Sequence, residues 1–130
     1  MILPNGMMVR ALFVSVTNNR GQAGNNGNPL NDADVARGFW HIRQLARANA
    51  CQVLVAVDQG KIIGVWNINQ NVGWRHGTPD AIPNRPFNLG DSNRYYCVLS
   101  GVCQQAVGVV GHRMAHVTGG QTMRGPIRYL

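Results

Sequence analysis

The sequence predicts an α+β fold: a small barrel of five to six mostly antiparallel strands with one or two short helices. Three observations predict it. Short stretches rich in β-branched and apolar residues recur along the chain, separated by Gly-, Asn- and Pro-rich segments. A strand–turn–strand signature occupies residues 51–68. Helical spacing of apolar residues is confined to the region between residues 31 and 50. With 130 residues, 45% hydrophobic and 13% charged, the chain can bury one ordinary core, so we read residues 1–130 as a single domain without internal repeats.

The elements follow in order. Residues 9–17 (VRALFVSVT) read as a first strand, and residues 18–29 (NNRGQAGNNGNP) as a Gly/Asn loop that is mobile unless a ligand orders it. Asn31 or Asp32 can cap a short helix over residues 33–39, with Asp34 in its first turn. Residues 40–50 carry Ile42, Leu45, Ala46 and Asn49 at helical spacing, which puts Arg43 and Arg47 on one exposed face. Strands at 51–57 and 61–68 flank the turn Asp58-Gln59-Gly60. Alternation in the second strand sets Ile62, Gly64, Trp66 and Ile68 against Ile63, Val65 and Asn67, and Gly64 in mid-strand marks a bulge or a close approach. Residues 70–86 form a long loop with Pro79, Pro83 and Pro86. Residues 94–99 and 106–110 are further short strands, and the tail ends in Pro126-Ile127-Arg128-Tyr129 as a closing strand.

The charge is lopsided. Eleven arginines and one lysine face five aspartates and no glutamate, a net charge of +7. Such an excess suits a polyanionic partner. Arginine in place of lysine sharpens that expectation, because a guanidinium pairs bidentately with phosphate and stacks on bases. Arg37, Arg43 and Arg47 form a helical stripe, Arg75 and Arg85 flank the aromatic loop, and Arg113, Arg124 and Arg128 cluster in the last segment. Trp74, in a polar loop beside Arg75 and His76, is the first stacking candidate and Trp40 the second; Trp66 reads as core.

The order of these pieces resembles a PUA-like barrel, the superfamily that includes the EVE, ASCH and YTH domains. The matching residues are Ala11-Leu12-Phe13-Val14, Arg37-Gly38-Phe39-Trp40, the hairpin from Val53 to Trp66, Trp74, Arg85-x-Phe87-x-x-Gly90 and Gly125-Pro126-Ile127-Arg128-Tyr129. The proline-rich loop 70–84 and the Gly-rich residues 100–120 depart from that layout. The chain is also similar to small uncharacterised bacterial and phage domains found beside nucleases. The resemblance implies a non-catalytic nucleic-acid reader that encloses a flipped or modified base of DNA or RNA, with a fused or associated nuclease as a partner and a role in phage–host conflict or RNA handling. The residues we assign to nucleic-acid binding are Trp40, Trp74, Arg37, Arg43, Arg47, Arg75, Arg85 and Arg128.

Other chemistry is poorly supplied. Cys97, Cys103, His112 and His116 fall in a short span, but their spacing is not that of a zinc finger, so no metal or other cofactor is expected. Asp32 and Asp34 read as helix-start residues and Asp58 as a turn residue, leaving no carboxylate pair for hydrolysis. The Gly-rich stretches lack the lysine and context of a phosphate-binding loop. No apolar run is long enough to cross a membrane, no secretory signal is evident at residues 1–16, and three cysteines read as reduced thiols of a cytoplasmic protein. Two other functions stay open: a small nucleic-acid-processing enzyme using the same pocket through Asp58 or Asp80, and a basic module that docks on or inhibits an acidic protein.

Overall fold

The structure, a computed structural model, describes residues 1–130. It is α+β, built on a mixed five-stranded sheet with a separate two-stranded sheet and a few short helices. Strand β1 (Ala11–Ser15) runs parallel to β2 (Val53–Asp58), joined through helices α1 (Asp32–Ala36) and α2 (Leu45–Asn49). A parallel pair needs such a crossover and is buried on both faces, which explains the uninterrupted apolar runs in both strands. Strand β3 (Lys61–Ile68) pairs antiparallel with β2, and the small sheet joins β4 (Arg75–His76) to β5 (Tyr95–Tyr96). Strand β6 (Leu99–Val102) pairs with β3, a last short helix α3 covers Met114–Val117, and β7 (Ile127–Tyr129) pairs with β1. The order β6-β3-β2-β1-β7 leaves β6 and β7 as edges, so the sheet is open where the sequence pointed to a closed barrel.

Alternation along β1 splits the core into two layers. Leu12, Val14 and Val16 pack with α1, Trp40, Trp74 and Cys97 on one face. Ala11 and Phe13 pack with Leu3, Cys103, Ala106 and Met114 on the other. Cys97 and Cys103 thus lie in opposite layers, and all three cysteines are free and buried. No helix is long and apolar enough to cross a membrane.

Several local expectations hold. Asn31 caps α1 by accepting from the Asp34 amide at 2.8 Å. The hairpin turn has Gln59 and Gly60 both at positive φ, 50° and 79°, the twist that matches flanking strands. The ladder slips at Ile63, between Ala56↔Gly64 and Val57↔Ile62. This bulge overturns simple alternation, so Ile62 shares its face with Val65 while Trp66 packs on the other. Gly64 is needed because the Trp66 ring lies across its backbone.

Others do not hold. Residues 40–44 are not helical, because the Trp40 backbone pairs with Tyr95 in both directions at 2.8 Å. Residues 104–109 form a 3-10 turn rather than a strand, since Ala106 donates to the Cys103 carbonyl and only Ala106 and Val109, three apart, are buried. Helix α3 lies within the span His112 to His116 and just beyond it, anchored by buried Met114. The Gly/Asn loop is tethered within the protein: Asn25 and Asn26 donate their amides to the carbonyl and side-chain oxygens of Asn84, both at 2.7 Å.

Gly64→Ala forces its new Cβ against the Trp66 ring, and we expect a loss of about 1–3 kcal/mol by urea denaturation, with an unchanged fold. An unaffected midpoint contradicts the close approach.

Candidate nucleic-acid interface

The two tryptophans assigned to stacking are core residues. Trp40 is 7% exposed and its indole N–H donates to the Ala36 carbonyl at 2.7 Å, tying the residue to the end of α1. Trp74 is 5% exposed in the same layer, with an indole N–H that finds no acceptor within the protein. Neither presents a ring face for a base. The polar loop around Trp74 misled because its own residues, Arg75 and His76, are exposed while Trp74 turns inward under Asn49, which accepts from the Trp74 amide at 2.8 Å.

The assigned arginines divide by partner. Arg85 is buried at 8% exposure, donates to the Asp34 and Val35 carbonyls at 2.8 and 3.2 Å, and lies 5.3 Å from the Phe39 ring centre. Burial lowers its pKa, and the charges of Asp91 and Asp34 oppose that shift. Arg37 is half-buried and pairs with Asp34 at 3.0 Å. Both are structural cations, because each closes α1 against the neighbouring chain. Arg75 is exposed on β4 and donates to the Val72 carbonyl. Arg113 stands apart from the other late arginines, bridged to Lys61 beside the β2–β3 turn.

Arg43, Arg47 and Arg128 do come together. They line a groove between α2 with its preceding segment and the edge strand β7. Three adjoining hollows of about 460, 430 and 360 Å³ make this groove, and Tyr129 borders all three. The largest has an apolar wall of Ala11, Ala46, Ala50 and Cys51, with Arg10 and Arg47 beside it. The second is lined by His41, Arg43 and Gln44. The third gathers Arg47, Arg124 and Arg128 with Gln44.

The electrostatics follow from where the carboxylates are. Asp32 and Asp58 both hold Arg20, at 3.2 and 2.9 Å. Asp34 holds Arg37 and Asp91 holds Arg94, each at 3.0 Å. No aspartate lines the groove. Its arginines are therefore not neutralised by side-chain carboxylates, and their field adds in one concave place. Arg47 stacks over Tyr129 with its guanidinium carbon 4.8 Å from the ring centre. Burial raises the pKa of the Tyr129 phenol and nearby Cys51 adds to the shift, so the ring is neutral at physiological pH. Cys51 itself is pushed up to about 11 by burial.

Tyr129, Arg10, Arg124 and His41 are groove residues that the binding assignment omitted. The tail motif and the Arg43/Arg47 stripe were the available signals. What joins them is the long-range pairing of β7 with β1.

No family model, curated protein or solved structure matches this chain.

Two expectations separate structure from function here. Arg85→Met should cost about 1.5–3 kcal/mol in denaturation experiments, the loss of charge-assisted hydrogen bonds; a neutral result contradicts its structural role. The Cys51 thiol, held at about 11, should react with a disulfide reagent at pH 8 about 100-fold more slowly in the folded protein than a free cysteine. Because the folded state favours the protonated thiol, this contribution to stability is full below the unfolded pKa near 9 and is lost as pH rises toward 11.

Proposed function

We propose that this domain binds nucleic acid without catalysis, through the groove between α2 and β7, and that the apolar hollow beside Tyr129 receives one unstacked or modified base. The observation that carries this reading is the combination of an aromatic ring stacked by an arginine with further arginines and no side-chain carboxylate. Guanidiniums satisfy phosphates, a tyrosine face satisfies a base, and a wall of Ala11, Ala46 and Ala50 leaves room beside the ring. Kinship with the PUA-like superfamily and a reducing, cytoplasmic setting belong to the same proposal; buried free thiols are consistent with that setting. An enzyme using Asp58 or Asp80 in this pocket draws no support, because Asp58 sits at the far end of β2 paired with Arg20 and neither residue lines the groove.

Fluorescence anisotropy with short single-stranded and duplex DNA and RNA tests the reading. Engagement of phosphates by Arg10, Arg43, Arg47, Arg124 and Arg128 gives a log–log salt slope of about −3.5 on a single strand. Tyr129→Leu should weaken binding by about tenfold or more while Tyr129→Phe retains it, because stacking needs the ring and not the hydroxyl. Absence of binding at moderate salt, or indifference to Tyr129→Leu, overturns the proposal.

A further inference from the structure

The third hollow has a chemistry of its own. Arg47, Arg124 and Arg128 line it together with Gln44, in about 360 Å³ and with no side-chain carboxylate. Arg128 is half-buried and held in place, donating to the Thr122 carbonyl at 3.1 Å and to the Gln121 side-chain oxygen. Those two bonds leave about three of the five N–H donors of its guanidinium for a ligand. Arg124 is exposed and makes no side-chain hydrogen bond within the protein. Arg47 donates only a long 3.5 Å bond to Gln44.

Three arginines around one hollow exceed what an internal phosphodiester calls for. A diester carries one negative charge, and its neighbours along a strand are spaced several ångströms apart, so a groove that follows a backbone distributes its cations. A phosphate monoester carries about −1.5 to −2 and three acceptor oxygens, and it can engage three guanidiniums together. The hollow also meets the apolar one at Tyr129 and Arg47, residues common to both walls. A phosphate and the base attached to it can therefore be held in neighbouring hollows that share Tyr129.

Resting on the nucleic-acid reading of the groove, we infer that the ligand is a nucleic-acid strand end bearing a monoester phosphate, and that Arg47, Arg124 and Arg128 hold that phosphate. A strand end is favoured over a free nucleotide because Arg10 and Arg43 lie in the adjoining hollows, where further backbone phosphates reach them and a mononucleotide does not.

The test compares single-stranded oligonucleotides of one sequence carrying a 5′-phosphate, a 3′-phosphate or neither, alongside a nucleoside monophosphate, by anisotropy and competition at fixed salt. One phosphorylated end should bind about tenfold tighter than the unphosphorylated strand, as expected for an added charge-assisted contact. Arg124→Gln should bring the ratio of phosphorylated to unphosphorylated affinity, measured within the variant, down to about one, whereas Arg113→Gln, an equal change of charge outside the groove, should preserve the preference. Equal binding of all three oligonucleotides, with salt and Tyr129 dependence intact, overturns end recognition and leaves the groove reading standing. A nucleoside monophosphate that binds as tightly as the phosphorylated strand overturns the strand-end assignment. Absence of binding by every oligonucleotide overturns both.

Discussion

Three backbone pairings, Leu12↔Tyr129, Phe13↔Arg128 and Val14↔Ile127, hold the candidate site together. Strand β1 is buried on both faces, and without β7 its hydrogen-bonding edge would be bare. Closing that edge also sets the groove. Period-two alternation sends Ile127 and Tyr129 to the layer of Leu12 and Val14, toward α2, while Arg128 between them borders the third hollow with its guanidinium held by the Gln121 and Thr122 oxygens. Because β1 is parallel to β2, the crossover through α1 and α2 lies on that same layer, and Arg47 descends onto Tyr129. A slip of one residue in β7 would turn Tyr129 away from the groove.

The second constraint is the scarcity of carboxylates. Of five aspartates, Asp32, Asp34, Asp58 and Asp91 pair with Arg20, Arg37 and Arg94. Those ion pairs gather around α1, the Asp91 turn and the far ends of β1 and β2. Exposed pairs of this kind add little stability individually. Their consequence for the electrostatic field is larger, because they neutralise one part of the molecule and leave the α2–β7 side positive. The total charge is a property of composition; its concentration in one groove is a property of the fold.

Local chemistry was legible in the sequence, and non-local geometry was not. The Asn31 cap, the Asp58-Gln59-Gly60 turn and the bulge beside Gly64 each depend on a few neighbouring residues, and each is present. The closing strand was also readable from its tail motif. The helix over residues 40–50 was too long because Tyr95, distant in sequence, claims the Trp40 backbone. Residues 106–110 carry strand-like composition but bury only every third residue. For the groove, Arg43, Arg47 and Arg128 were identifiable from charge, while Trp40 and Trp74 are buried and Tyr129 is the aromatic residue that borders it. Composition ranks tryptophan first as a stacking residue; only burial distinguishes a ring that packs a core from one that borders a groove.

The most direct measurement is an amide and arginine side-chain NMR titration with a short single-stranded oligonucleotide. Shifts concentrated at residues 10–11, 41–51 and 124–130, with the Arg47 and Tyr129 signals among the largest, are expected if the groove carries the ligand. Shifts centred instead on Arg75 and β4, or on Arg113 and the β2–β3 turn, would contradict it.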